Sequence, residues 1–498
     1  RHKGLLKNCD AIGWFTWDGK RLSREGATAL AVAAGHDTVR AIQDEADSIR
    51  GTDDDLIVGA RKPKKKGDEE EPVHLSEQLE MFGRASETKS RMTLHDHAAP
   101  YLSVEVDQLD ADPFLINLEN GTLVVRRTPW SEPLKQGWTH VNAYIRLKPH
   151  DSADLITHVM PVRFDAKARC PRYDKFLADV QPSAEVRDFI DVWDGYSMTG
   201  DVSEQRLVFN YGTGKNGKST WLSVRQALQG DYGKSIPIES FINDAKRGRG
   251  PGQASPDLAM LRKKRAVVTS EPEKGWKLNE ALIKLLTGGD EVPVRELNKP
   301  YFMLKPEFKL TIAGNHKPNI GGGDADSGTW RRVVLVPWLV RITREQQDPH
   351  LVDKLKAEGS GILNRWIAGL VRWLEHGLEL PEDVLKATEQ FRSDSDPLGR
   401  FLTLCTARDP NARVQSSDLY AVYEAFCKSA GERPYTQKGL SAALADRNFE
   451  KETKHFVYWI GLRLTKGVAE FVDHQGNPLR DGADDNDRVE DDGGDIPF

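Results

Sequence analysis

The sequence predicts an α/β protein built on a parallel sheet around a phosphate-binding loop, and three observations predict it. The first is Leu207-Val-Phe-Asn-Tyr-Gly-Thr-Gly-Lys-Asn-Gly-Lys-Ser-Thr-Trp221, where an apolar run stops at a glycine-rich loop and restarts as an amphipathic pattern. It reads strand, loop, helix. The second is a pair of later apolar runs, Lys263 to Ser270 and Phe308 to Gly314, each of which ends on polar residues. The third is length: 498 residues suggest about three domains and are ample for sizeable cores.

Composition narrows the class. Four scattered cysteines (Cys9, Cys170, Cys405, Cys427), with no partner at ligand spacing, indicate neither a disulfide frame nor a zinc site. No run approaches the ~18 apolar residues of a membrane span, and the chain as given opens on no apolar leader, so a soluble protein of a reducing compartment is expected, with no membrane partner. The formal charge of −6 is unevenly placed. From Asp481 to Phe498 eight acids stand against Arg488, so the rest of the chain is near neutral. Net charge therefore does not exclude a nucleic-acid partner whose positive charge is gathered in one place.

Residues 1–100 read as a helical, polar N-terminal region, with an alanine-rich stretch from Ala27 to Ala34 and a charged interruption from Arg61 to Glu71. That interruption is expected to be a solvated loop; its basic half, Lys62 with Lys64 to Lys66, could touch phosphate, but an exposed charge run is the simpler reading. Residues 101–169 change to strand-like pieces, with Asn120-Gly121 as a hairpin signal between Leu115-Ile116 and Leu123-Val124-Val125. Cys170 to Tyr196 reads as helices leading into a core spanning 170–394.

Gly212 to Ser219 fits Gly-x-x-x-x-Gly-Lys-Ser residue for residue. Successive backbone N–H groups must curl around a phosphate, and Gly212, Gly214 and Gly217 supply side-chain-free positions. The predicted ATP-binding stretch is Gly212, Thr213, Gly214, Lys215, Asn216, Gly217, Lys218, Ser219 and Thr220. Lys218 would reach the β/γ-phosphates, Ser219 would offer its hydroxyl to Mg²⁺, and the following helix would turn its positive end to the same anion. A flexible surface loop is opposed by the flanks: Val208 and Phe209 before, and Trp221, Leu222, Val224 and Leu228 after at helical spacing.

Downstream, Lys263 to Ser270 ends in Glu271-Pro-Glu273. Carboxylates at a strand end beside such a loop can hold the Mg²⁺ shell and orient the attacking water; Glu271 and Glu273 are the candidates, with Glu271 taken as the metal ligand and the division of roles left open. The strand Phe308 to Gly314 ends at Asn315-His316, and a strand-tip amide there can sense the γ-phosphate. Trp330-Arg331-Arg332 precedes the apolar run Val333 to Val336; the two arginines are either a solvated pair or fingers inserted into a neighbouring subunit's nucleotide.

In this order the motifs resemble those of superfamily 3 helicases, and more narrowly the helicase part of phage, plasmid and poxvirus primase–helicases. The residues that carry the likeness are the Gly-Lys-Ser loop, Ser270-Glu-Pro-Glu273, Leu286-Thr-Gly-Gly-Asp290 with Arg295, Ile312-Ala-Gly-Asn315-His316-x-Pro318 and Trp330-Arg-Arg332. Val106-Asp-Gln-Leu-Asp-Ala-Asp112-Pro-Phe with Asn120-Gly121 resembles the collar that precedes such an ATPase. The resemblance implies an AAA+-like P-loop ATPase core that works as a hexameric ring on single-stranded or forked DNA with 3′→5′ polarity, ATP and Mg²⁺ lying between subunits. It also implies a channel hairpin, on which Arg295 and Lys299 would contact DNA; for Lys299 an ordinary turn lysine is the competing reading. The Glu-Pro-Glu end departs from the usual acidic pair. A mobile-element origin and the cytoplasm of a bacterial host follow as expectations, and the start at Arg1 leaves room for a primase or polymerase segment upstream.

Residues 395–466, after the boundary Ser393-Asp-Ser-Asp-Pro397, have winged-helix texture, and Gln437, Lys438 and Arg447 could meet a duplex. Residues 467–498 form an acidic tail expected to be disordered. Its end, Asp495-Ile496-Pro497-Phe498, resembles the C-terminal tip of bacterial single-stranded-DNA-binding proteins, which implies docking to host proteins that read that tip; a solubilising tail is the alternative. Two rival functions stand beside a helicase: an ATP-dependent origin-loading or adaptor protein, and a P-loop nucleotide kinase.

Overall fold

The computed structural model describes residues 4–62, 70–89, 98–129, 141–242, 255–270, 276–320, 327–432 and 434–479. Strands β1 (Leu6–Cys9), β2 (Gly13–Trp17) and β3 (Leu22–Ser23) form an antiparallel meander, followed by the helix α1 (Ala27–Ile49). A hairpin of β4 (Ile57–Arg61) and β5 (Glu71–His74) leads into α2 (Leu75–Lys89), which packs along α1. Where the sequence predicts helix alone, strands are present too. Cys9, Phe15 and Leu22 pack with Val104 and Leu109 in a small core, but their strands are too short for an alternating period to stand out. The charged interruption is flanked by paired strand, with Arg61 opposite Glu71.

A second antiparallel sheet follows: β6 (Leu115–Leu118), β7 (Gly121–Pro129) and β8 (Val141–Lys148), with the predicted Asn120-Gly121 turn between the first two. Helices α3 (Pro171–Val180) and α4 (Ala184–Tyr196) then enter the main core. Ser183 starts α4 by accepting the Val186 N–H, as a capping hydroxyl does.

The centre is the α/β unit that the apolar runs predict. Its strands are β9 (Leu207–Tyr211), β10 (Gly233–Ser235), β11 (Ala266–Ser270), β14 (Lys309–Gly314) and β15 (Val333–Pro337). They form one sheet in the order β10-β11-β14-β9-β15, parallel at every pairing. Their near-continuous apolar sequences follow from helices covering both faces. Between the first and last of these lie α5 (Lys218–Gln229), α6 (Glu280–Gly288) and a hairpin of β12 (Val292–Val294) and β13 (Phe302–Leu304). Behind the sheet α7 (Gly359–His376) crosses α4 closely. A Cβ at Gly369 would lie 2.1 Å from the Asp191 carbonyl oxygen, so no other residue fits at that crossing without moving a helix.

One buried cation, Arg265, ties the β6–β7–β8 sheet to this core, and a second, Lys309, ties the stretch after α4 to the central sheet. Arg265, just before β11, donates to the carbonyls of Leu115 at 2.8 Å and Met198 at 2.9 Å and lies 4.3 Å over the Tyr232 ring. Lys309 donates to the carbonyls of Thr199 and Asp201, and burial pushes its amine well below the usual lysine range. Asp110 accepts from Thr157 and contacts His158 at 3.3 Å, and His158 lies 3.1 Å from the Lys264 amine. Burial alone would raise the Asp110 carboxyl, but the charge of His158 and the hydrogen bonds from His158 and Thr157 outweigh it and hold the group at about 2.

Beyond the core, α8 (Glu382–Asp394) packs on β15. The C-terminal unit comprises α9 (Pro397–Cys405), β16 (Thr406–Gln415), α10 (Ser416–Ser429), α11 (Gln437–Asp446), β17 (Lys451–Thr453) and β18 (Val457–Leu464). Its antiparallel sheet has the order β16-β18-β17 and covers a core that includes Phe401, Tyr423, Leu444 and Trp459. Arg447, one of the residues read as a candidate duplex contact, is paired with Asp396 at 2.6 Å inside this unit. Among the described residues no helix is long and apolar enough to cross a membrane.

Candidate nucleotide-binding site

The loop between β9 and α5 sits at the C-terminal edge of the sheet, where all five strands deliver their last residues to one side. Its backbone is unusual: φ is +99° at Gly214, +51° at Lys215 and +85° at Gly217. Gly217 is the N-cap of α5 and brings no side chain to its first-turn N–H groups, which leaves them to an anion. The loop is held from outside. Asn216 donates through Nδ2 to the Trp338 carbonyl at 3.1 Å, and the Ile342 N–H donates to the Lys215 carbonyl at 2.7 Å. A Cβ at Gly212 would lie 2.2 Å from both the Asn216 amide nitrogen and the Trp338 carbonyl oxygen.

Lys218 is buried, and its amine donates to the Gly212 carbonyl and, at 3.3 Å, to Oδ1 of Asn315. Asn315 follows β14, which lies directly between β9 and β11. The sheet order therefore sets the strand-tip amide beside the loop lysine, and puts the strand that runs toward Glu271 next in line. Glu271 and Glu273 themselves fall outside the described residues. Ser219 and Thr220 open onto the same cavity, whose volume is about 1060 Å³.

That cavity also has walls that no motif marked. Phe176 from α3, Ile342, Arg344 and Gln346 to Pro349 line it as well. Phe176 lies in the stretch read only as helices leading into the core; the 342–349 segment is polar and irregular, and carries no sequence signal. Asp348 is the acid in this wall, paired with Lys354 at 2.6 Å. The cavity fits a nucleotide: glycine-lined N–H groups and a buried amine for phosphates, with an aromatic and an aliphatic side chain in the wall beside them. For Mg²⁺, Ser219 offers one oxygen, and among the described residues no group of three or more acidic, histidine or cysteine side chains forms a cage. Such a site suits an ion that keeps waters and takes phosphate oxygens.

The structure separates the two arginines before β15. Arg332 is buried, with Nε donating to Thr287 Oγ1 at 3.0 Å and Nη1 to the Gly328 carbonyl at 2.7 Å, so its guanidinium is engaged within its own chain. Arg331 is exposed, and its positive field, after burial, bears on neighbouring Arg206, whose pKa is lowered. Both lie at the N-terminal edge of the sheet. Val333 pairs with Leu207 and Pro337 with Tyr211, so the length of β15 separates Arg331 from its own loop, about 17 Å at 3.3 Å per residue.

Of the predicted DNA contacts, Lys299 stands at the exposed end of the β12–β13 hairpin, 2.5 Å from Glu296, in a turn where Asn298 has φ +58°. Leu297 beside it is 69% exposed. Arg295 lies 4.9 Å over the Tyr301 ring where the strands give way to the hairpin's loop. The tail tip, Asp495 to Phe498, lies outside the described residues.

Residues 1–182 match the family model described as "D5 N terminal like". A "Putative helicase" of Acanthamoeba polyphaga mimivirus is 26% identical over 344 residues, covering 64% of this chain and 34% of that protein. A "Putative helicase" of Frog virus 3 (isolate Goorha) is 26% identical over 279 residues, covering 52% of this chain and 28% of its own length. The chain thus spans about a third of the curated relatives it matches. Both relatives are viral, and neither speaks for the bacterial host that the sequence led us to expect. Among solved structures, an apo structure of the NrS-1 C terminal region aligns with a TM-score of 0.41 at 12% identity, covering 67% of this chain and 82% of that one. Sequence similarity to viral proteins named as helicases, with a D5-like N-terminal region, is what these matches establish.

Proposed function

We propose that this chain is the ATP-driven motor of a DNA helicase of the primase–helicase kind, acting as a ring, with a hexamer the expected size. It moves 3′→5′ along single-stranded DNA and uses ATP with Mg²⁺. The observation that carries the shared-site reading is the position of Arg331, exposed and a full strand length from its own phosphate loop. An arginine so placed can serve a nucleotide only on an adjacent subunit.

In this reading the loop N–H groups and Lys218 hold the phosphates, and Asn315 senses the γ-phosphate through the same amine it already contacts. Mg²⁺, when bound, neutralises charge on the β- and γ-oxygens. Ser219 and Glu271 would hold it, and Glu273 would orient the attacking water. Arg331 takes the finger role that the sequence left open between two residues, because Arg332 is committed to Thr287 and Gly328. Arg295 and Lys299, on the β12–β13 hairpin, contact DNA phosphates. The tip Asp495 to Phe498 recruits a host replication or repair protein.

The test is ATPase rate against protein concentration, with and without single-stranded DNA, for wild type, Lys218→Ala and Arg331→Ala, and for the two variants mixed. Each variant alone should be inactive, and mixing should restore part of the rate. Turnover that is independent of concentration and of DNA, and unrescued by mixing, would remove the ring and favour a nucleotide kinase. Hydrolysis with strand separation but no processive movement would favour the origin-loading or adaptor reading.

A further inference from the structure

The C-terminal unit carries a cleft that the motor reading does not use. It holds about 400 Å³ between the first turns of α10 and α11 and the β17–β18 hairpin. Lys438 and Lys451 face it together with Ser416, Ser417 and Ser441, and among the described residues no carboxylate lines it. Phe456 forms its rim and is 57% exposed. The turn bearing that ring is closed by the Lys454 N–H donating to the Phe456 carbonyl at 3.1 Å. The nearest acids are already matched: Glu452 accepts from Lys454 at 2.6 Å, and Asp418 accepts from the Ser417 hydroxyl at 3.1 Å.

Ammonium and hydroxyl groups without a carboxylate are chemistry for phosphate, and an exposed ring on the rim is chemistry for a flat aromatic face. An apolar peptide would strand two lysines, and a free phosphate would leave the ring uncovered. A nucleic-acid strand offers both surfaces at once. Within a duplex each base face is covered by the next, so the ring can stack only where the stack ends.

We propose that this cleft grips DNA at the junction of single strand and duplex, with Lys438 and Lys451 on phosphates and Phe456 stacked on the last base. The inference rests on the nucleic-acid reading above, and its test is separable from it. Binding of the full chain, without nucleotide, is measured by fluorescence anisotropy on a forked duplex and on a covalently closed duplex of the same sequence. Phe456→Ala should lose on the order of tenfold on the fork and little on the closed duplex, while Phe456→Trp keeps the fork affinity. Lys438→Ala and Lys451→Ala should each reduce the salt slope of fork binding by about one. An unchanged melting temperature for Phe456→Ala, expected of so exposed a ring, keeps the result interpretable.

Equal fork affinity for wild type and Phe456→Ala would overturn the proposal, as would an equal loss on both duplexes. Displacement of the fork by a poly-glutamate peptide at matched charge would overturn it in favour of an acidic protein partner. A wild-type chain whose ATPase responds to single strands but which shows no fork preference would overturn this inference and leave the motor reading standing.

Discussion

The amine of Lys218 lies 3.3 Å from Oδ1 of Asn315, so the phosphate loop and the tip of β14 already touch. In the proposed reading a γ-phosphate entering the loop would meet a lysine shared with a neutral amide, and the amide would be released or re-aimed as the lysine turned to the anion. Asn315→Ala should leave ATP affinity within a few-fold and lower kcat by roughly 10²-fold, the scale for losing one aimed polar group. Asn315→Asp should weaken ATP more than ADP, because a carboxylate holds the lysine and repels the γ-phosphate. Steady-state ATPase and nucleotide titrations separate these outcomes.

Gly212→Ala tests how the loop is held. The new methyl group would overlap the Trp338 carbonyl, which is backbone, and the Asn216 amide that bonds to it. Nucleotide binding should fall at least tenfold while the rest of the fold stays intact, read by a fluorescent nucleotide and by circular dichroism. Wild-type affinity would show that Trp338 does not set the loop's shape.

Arg331 and Arg332 should behave oppositely although they are neighbours. Arg332→Ala leaves Thr287 and Gly328 without their buried donor and should cost about 1–3 kcal/mol of stability. Arg331→Ala is a surface change, within about 0.5 kcal/mol in denaturant unfolding, yet it should lower ATPase by roughly 10³-fold or more. A reversed pattern would reassign the finger.

Asp110 makes the collar joint acid-sensitive. Its folded-state pKa of about 2 lies below the ordinary 3.8, so the contribution is fully present above that ordinary value and is lost as pH falls through about 2. The difference corresponds to about 2 kcal/mol. Asp110→Asn should lower stability at neutral pH and flatten the acid limb of a stability–pH curve between about pH 4 and 2.

The loop and the strand ends of the candidate nucleotide site were legible because their residues obey rules of spacing. The Gly-Lys-Ser loop between an apolar run and an amphipathic one, and an amide closing the run Phe308 to Gly314, are local patterns, and the parallel sheet joins their ends. What could not be read was whatever depends on distant neighbours. β16 is polar and contains Pro410, so it reads as loop; it pairs with β18 around a register shift between Arg408 and Arg413. Arg265 and Lys309 look like ordinary surface cations in sequence and become buried only because carbonyls from other segments surround them. The difference between Arg331 and Arg332 is one of orientation, and two identical letters cannot show it.

The fastening of Arg265 to Leu115 and Met198, and of Lys309 to Thr199 and Asp201, also constrains mechanics. Each fastener sits at the start of a central strand and takes carbonyls of segments that precede the sheet, and the Arg265 bond to Leu115 ties the β6–β7–β8 sheet directly to the core. In a ring of such protomers the compliance would lie at the seams between blocks and in the slender hairpin that ends at Lys299. Each hydrolysis step would then shift a rigid wedge against its neighbour, with the hairpin as the pawl that engages the strand.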